Sequence, residues 1–299
     1  MRPNSTAPAP PPVLAPLPLA GHVVVVTGAT SGIGERTALG LARTGAQVVL
    51  VGRDAGRIER TRARIAGEFP DARLEAAVAD LARLAEVRRV AGELGLRHPS
   101  IFALVNNAGA VYAHREVTPE GHEATWALNV LAPYLLTHLL AGPLRRGAPA
   151  RVVNVASAAH RGRRLDFEDL EGHRRYSGFR TYGRSKLALL LLTYEFARRW
   201  SGSGITVNAL HPGYVRTGFG KNTPGAMSGV IRFLDRLFAI PAEEGARTPI
   251  YLASSPEVAD ANGLYFARCR PMPSSRASYD AASAARLWQV CAEQTGVGR

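Results

Sequence analysis

Only two cysteines, Cys269 and Cys291, occur in the 299 residues, which excludes a disulfide scaffold and a cysteine-rich zinc module. The eight histidines are scattered, with no metal-ligand spacing. Lysine is equally scarce: Lys186 and Lys221 are the only two among 37 Lys+Arg residues. The net charge of +13 and pI near 10.6 therefore come from arginines spread along the chain. Short basic clusters at Arg161 to Arg164 and at Arg174 and Arg175 lack the interleaved aromatics of a single-strand platform, so no nucleic-acid partner is expected. Prolines break up residues 1–20, leaving no apolar run for a signal peptide or membrane anchor. That stretch reads as a disordered, proline-rich arm, and the protein as cytoplasmic with no transmembrane segment.

What is present is a chain rich enough in apolar residues, at 46%, to bury a core, with a mean hydropathy of −0.05. His22 opens the β-branched run HVVVVT, then a glycine turn, then ERTALGLARTG at helical spacing. The alternation continues through AQVVLVG, RLEAAVAD, IFALVNN, ARVVNVAS, ITVNALHP and GLYFA, with helical stretches between most of them. Strands apolar on both faces and alternating with helices predict an α/β fold: a single doubly wound, Rossmann-type parallel sheet with helices on both faces. No repeat or linker divides it, so residues 21–299 form one expected domain.

The first chemical motif is Thr27-Gly28-Ala29-Thr30-Ser31-Gly32-Ile33-Gly34, between the first strand and its helix. Gly28 suits a tight turn, Gly32 a close backbone approach to pyrophosphate, and Gly34 close helix packing, while the helix N-terminus supplies amide donors. Glycine also suits any strand-to-helix loop, but this context favours dinucleotide binding, with Gly28, Thr30, Ser31, Gly32, Ile33 and Gly34 as contacts. The second strand ends Val51-Gly52-Arg53-Asp54. Arg53 fits a 2′-phosphate, whereas Asp54 is either a ribose acid or the N-cap of the next helix. NADP(H) is the preferred expectation and NAD(H) the alternative, with Arg36 in the first helix as a further positive charge.

The second motif is Tyr182-Gly183-Arg184-Ser185-Lys186, opening an apolar helix. A spacing of four puts Tyr182 and Lys186 on one helical face. Bringing a phenol from a pKa of about 10 to near 7 needs about 4 kcal/mol, for which a fixed ammonium is the obvious source. The alternative is a capping turn with a chance tyrosine, less persuasive where the chain otherwise uses arginine.

With these motifs, and with Asp80, Asn106-Asn107-Ala108-Gly109, Asn129, Ser157 and Pro212-Gly213 in order behind successive strands, the chain resembles the short-chain dehydrogenases/reductases. Arg53, the long Ser157 to Tyr182 spacing enclosing Leu165-Asp166-Phe167, His211-Pro212-Gly213 and Gly263-Leu264-Tyr265-Phe266 with Leu287-Trp288 are similar to the retinol dehydrogenase-like branch. The resemblance implies that Tyr182 is the acid/base, that Ser157 polarises the carbonyl oxygen, and that Lys186 depresses the tyrosine pKa and holds the nicotinamide ribose. Asn129 would support a proton-relay water, Asp80 and Leu81 the adenine end, and Asn107, Ala108 and Gly109 the cofactor cleft. Pro212, Gly213, Val215 and Thr217 would pack on the nicotinamide, with Asn106 structural. Membrane-bound relatives carry an apolar N-terminal anchor, where this chain has its proline-rich arm.

On the substrate side, Ser157, Tyr182, Tyr214 and Phe219 are the expected contacts, with a lid at about residues 218–241. Residues 226–240 place an apolar stripe in that segment, which is either core or a flap over a lipophilic substrate. The reading is an NADP(H)-dependent reductase/dehydrogenase that interconverts a lipophilic ketone or aldehyde and its alcohol. The alternative is a non-catalytic NADP(H)-binding regulator on the same fold. Apolar faces on residues 119–141 and 181–200 suggest a homo-oligomer, dimer or tetramer.

Overall fold

The computed structural model describes residues 18–213 and 241–298. Strands β1 (Val23–Thr27), β2 (Gln47–Gly52), β3 (Arg73–Val78), β4 (Ala103–Asn106), β5 (Ala150–Val155), β6 (Ile205–Leu210), β7 (Tyr265–Ala267) and β8 (Arg270–Pro271) form one sheet. Its order is β3-β2-β1-β4-β5-β6-β7-β8. Pairing is parallel from β3 to β7, and β8 alone folds back antiparallel, an exception to the all-parallel reading.

The valine runs explain the two buried faces. Successive side chains alternate across a strand. Val25, Val49, Leu104, Val152 and Val207 enter one core, and Val24, Val26, Val48, Leu50, Val105 and Val153 the other. Helices α1 (Gly32–Ala42), α2 (Ala55–Glu68) and α3 (Leu84–Arg97) follow β1, β2 and β3. After β4 come a helical turn α4 (Ala124–Trp126), a π-helical turn (Ala127–Leu131), α5 (Ala132–Leu139) and α6 (Ala141–Arg146). Helix α7 (Gly178–Arg199) precedes β6, while α8 (Ala242–Ser254) and α9 (Ala281–Thr295) complete the layers.

Three expectations change. Leu19 is 1% exposed, sits in the core and donates its N–H to Thr44 O at 2.7 Å, so the domain starts before residue 21. Helix α7 starts at Gly178 rather than near Thr181. The apolar faces of α5 and α7 are covered by α9, whose Leu287, Trp288 and Cys291 are buried among Tyr134, Leu135 and Phe196. The buried part of those faces is therefore core within this chain. The expected lid at 218–241, and Tyr214, Val215, Thr217 and Phe219, lie outside the described residues, apart from Pro241 at the N-cap of α8. Among the described residues no helix is long and apolar enough to cross a membrane.

The strand order reverses between β1 and β4, and ligands of such sheets bind beyond the carboxyl ends at that crevice. Gly28, Arg53, Asn107 and Ser157 all follow the carboxyl ends of their strands.

Candidate active site

The glycine turn is built by close approach. Gly28 has φ +63 and Gly32 φ +53, in the left-handed region that glycine favours. A Cβ on Gly34 would collide with the Gly28 carbonyl oxygen, so only glycine lets α1 start this tightly. Asn107 and Ala108 N–H groups each donate to Thr27 Oγ1 at 3.0 Å, and Asn107 Nδ2 donates to Thr27 O at 2.8 Å and Gly28 O at 3.2 Å. The Asn107 side chain thus pins the turn, while the neighbouring backbone through Ala108 and Gly109 stays partly exposed as a wall. Thr30, Ser31 and Ile33 also keep open surface at the turn, and Ser31 precedes α1 without making a side-chain cap.

At the end of β2 the two candidate cofactor readers separate. Asp54 is the N-cap of α2 and its carboxylate accepts from the Arg57 N–H at 2.8 Å. Arg53 is exposed and forms no ion pair or hydrogen bond with the described residues. A Cβ on Gly52 would stand 2.8 Å from Thr30 Cγ2, which keeps the strand end bare. Arg36, expected to add charge here, is instead held by Glu68 at 2.7 Å and Glu243 at 3.0 Å. Asp80 is partly exposed and accepts from Ala82 N–H at 3.1 Å; Leu81 is buried in the core.

Ser157 follows β5 and N-caps a short 3-10 turn, its Oγ accepting from Ala159 N–H at 3.2 Å. Tyr182 lies in the second turn of α7 and hydrogen-bonds the Ser157 side chain. One turn on, the buried Lys186 donates its Nζ to Val155 O at 2.9 Å and lies 5.7 Å from the Tyr182 ring centroid. Burial lowers the lysine to about 8, which leaves it mostly an ammonium at neutral pH.

The tyrosine behaves differently from the expectation. Burial pushes the Tyr182 phenol up to about 12, against the opposing pull of the Ser157 hydrogen bond. Loss of hydration is the larger cause, while the Lys186 ammonium donates to the Val155 carbonyl. In this form the phenol is held protonated, as a proton donor.

Asn129 falls inside the π-helical turn, a distortion frequent at functional sites. Its side chain is fully buried and clasps Ala110, accepting from the N–H at 3.0 Å and donating to the C=O at 3.0 Å. It also donates to Ser185 Oγ at 2.9 Å, so its side chain fastens the β4 loop to α7. A Cβ on Gly109 would stand 3.1 Å from Asn129 Oδ1 and 3.2 Å from Lys186 Nζ, which makes this glycine the open wall of the site. Asn106 is structural, donating to Thr137 Oγ1 and Asn154 Oδ1 in the core. Pro212 and Gly213 follow His211, whose Nδ1 accepts from Gly213 N–H at 3.0 Å.

Sequence reasoning passed over His160. The ring is fully buried; Nε2 accepts from Ser275 N–H at 3.0 Å, so Nδ1 carries the proton and donates to Ser157 O at 2.6 Å. Its only signal is a place three residues after Ser157.

The cradle fits a nicotinamide dinucleotide: glycines at each close approach, a helix N-terminus at the turn and an uncommitted arginine at the β2 end. A family model described as short chain dehydrogenase matches residues 22–227. Retinol dehydrogenase 14 of Mus musculus is 36% identical, with 93% of this chain and 86% of that protein covered. A Streptomyces sp. (strain C5) protein with the provisional name daunorubicin C-13 ketoreductase DnrU is 40% identical, covering 93% of this chain and 94% of its own. A crystal structure from Beutenbergia cavernae, provisionally named an NAD(P)-dependent gluconate 5-dehydrogenase and holding NADP at low occupancy, superposes with TM-score 0.69. It is 30% identical and covers 85% of this chain and 97% of its own. With that match and the Ser157, Tyr182 and Lys186 geometry together, the chain belongs to the short-chain dehydrogenases/reductases, in their retinol dehydrogenase-like branch.

Proposed function

We propose that the protein reduces a lipophilic ketone or aldehyde to its alcohol with NADPH, and runs the reverse oxidation with NADP+. The observation that carries the reading is the meeting of Ser157, Tyr182 and Lys186 next to the glycine turn. The bound nicotinamide supplies or takes the hydride. Ser157 hydrogen-bonds the substrate oxygen and Tyr182 gives that oxygen its proton; Lys186 keeps positive charge beside the phenol as it becomes phenolate. Asn129 holds the loop and helix that frame the reacting atoms. Relatives named for retinol and for the C-13 ketone of daunorubicin support a lipophilic substrate. The test is consumption of NADPH and NADH against retinal, steroid ketones, aromatic polyketide ketones and simple aldehydes, where turnover of none of them would count against the reading.

Arg53 carries the cofactor preference, because Asp54 is engaged as a helix cap and the arginine is not engaged. Arg53→Ala is expected to weaken NADPH about 10- to 100-fold, in line with loss of a charge-assisted pair of 1.5–3 kcal/mol, and NADH hardly at all. Titration of both cofactors checks it, and equal losses would return the role to Asp54.

The raised phenol sets the pH dependence. Oxidation needs Tyr182 deprotonated, and with its pKa pushed up to about 12 the competent fraction changes tenfold per unit below that value. Between about pH 6 and 8, where Lys186 still carries charge, alcohol oxidation is expected to rise roughly tenfold per unit. Ketone reduction uses the protonated phenol and stays nearly level over the same window. A flat oxidation profile would contradict this assignment.

A further inference from the structure

Arg163 occupies a notch beside the acid/base residue. Its backbone N–H donates to His160 O at 3.2 Å, which folds the turn after Ser157 back onto α7. There the side chain lies along Phe179 and Gly183, four residues apart and hence on one helical face. The guanidinium carbon is 5.6 Å from the Phe179 ring centroid, and that ring is 64% exposed. A Cβ on Gly183 would stand 2.7 Å from both Ala159 O and Arg163 Nε, so the glycine that follows Tyr182 lets the turn after Ser157 and the arginine pack together on α7.

Two further facts need explaining. Arg163 Nε is buried and has no hydrogen-bond partner among the described residues. Neither Arg163 nor its neighbours Arg161 and Arg164 forms an ion pair with a described carboxylate, although arginines elsewhere, such as Arg64, Arg89 and Arg198, do. A buried unmet donor costs free energy, and the guanidinium carries four N–H donors besides that of Nε. Arg53 lies five strand steps from β7 in the sheet order and β5 lies between, so the turn after β5 is remote from the adenine end of the cleft.

We infer that Arg163, braced by Phe179 and admitted by Gly183, binds an oxyanion of the substrate, which makes the substrate class an apolar ketone bearing a carboxylate or similar acid. This deepens the carbonyl-reductase reading and rests on it. Phe179 is three residues before Tyr182 on α7, about 4.5 Å along the axis, so the acid sits a few bonds from the reacting carbonyl. The planar fork of the guanidinium suits a carboxylate.

The test compares 5-oxo-5-phenylpentanoate with its methyl ester, using NADPH and the full chain. The wild type is expected to prefer the acid by about tenfold or more in kcat/KM, mostly through KM, with the preference shrinking in added salt. Arg163→Met brings the acid down to the level of the ester. Acid and ester falling together, or an undiminished preference in Arg163→Met, would overturn the inference. Calorimetric binding of the keto acid to the NADP+ complex reads the site without turnover: about tenfold weaker binding to Arg163→Met supports it, and equal binding overturns it. Ester reduction that persists while the acid preference is absent refutes the anion site and leaves the reductase reading standing.

Discussion

Tyr182→Phe is expected to lower kcat for ketone reduction by about 10²- to 10⁴-fold while NADPH binds as in the wild type. The ring stays, so packing along α7 and the ring face beneath the Lys186 ammonium are preserved. What disappears is the hydroxyl that hydrogen-bonds Ser157 and gives a proton to the substrate oxygen. Because the phenol is held protonated by burial, no other group at the site replaces it: Lys186 Nζ is turned to the Val155 carbonyl, and Asn129 is occupied with Ala110 and Ser185. Ser157→Ala keeps the donor and removes the polarising hydroxyl, so its loss should be smaller than that of Tyr182→Phe. Steady-state rates with parallel NADPH titration separate chemistry from binding. Near-normal turnover in Tyr182→Phe would remove the tyrosine from the mechanism.

Trp288→Ala is expected to cost about 3–5 kcal/mol of stability. Trp288 is 4% exposed and lies edge-on to Tyr134 at 5.1 Å, to Phe196 at 4.7 Å and to His138 at 5.0 Å. Its outer face carries the Arg199 guanidinium at 4.3 Å, and its Nε1–H donates to Gly298 O at 2.9 Å. The indole is thus the peg by which α9 covers α5 and α7. Its removal leaves a cavity and loosens the helix over a large apolar face, so a fall in Tm of about 10 °C is expected, together with a rise in aggregation on heating. Thermal unfolding with light scattering measures both. A loss under about 1 kcal/mol would mean that α9 is not the cover of this face.

The parts legible in the sequence are those set by local pattern. Runs such as VVVVT and VVLVG have no polar face, so they can only be central strands, and the residues at their carboxyl ends mark the crevice. The Tyr182 to Lys186 spacing survives because one helical turn is the same wherever the helix packs. Helices α8 and α9 escaped notice for different reasons. Pro249 sits inside α8, a residue usually read as a helix breaker, and α9 begins with AASAA, which has propensity but no apolar stripe until Leu287. The caps of α9, Asp280 and the left-handed Gly296, were there to be read.

What the sequence does not carry is the environment each charge meets. Arg36 and Arg53 look alike as basic residues near the cofactor turn, yet one is tied by two glutamates and the other is not. Tyr182 is paired with Lys186 by spacing, but the ammonium whose charge was expected to act on the phenol also donates a hydrogen bond to the Val155 carbonyl. The packing of Arg163 against Gly183 joins residues twenty apart, and His160 links Ser157 to a segment more than a hundred residues on. Such relations exist only once the chain is folded.

Hydride transfer itself is the claim on which all of this turns, and isotope transfer tests it most directly. Wild-type protein is incubated with NADPH carrying deuterium at both positions of nicotinamide C4 and an aryl ketone the protein turns over, and the alcohol is analysed by mass spectrometry. One deuterium on the carbinol carbon is the expected result. NADPH that binds but yields no labelled alcohol from any ketone or aldehyde offered would contradict the assignment and leave a nucleotide-binding protein without this chemistry.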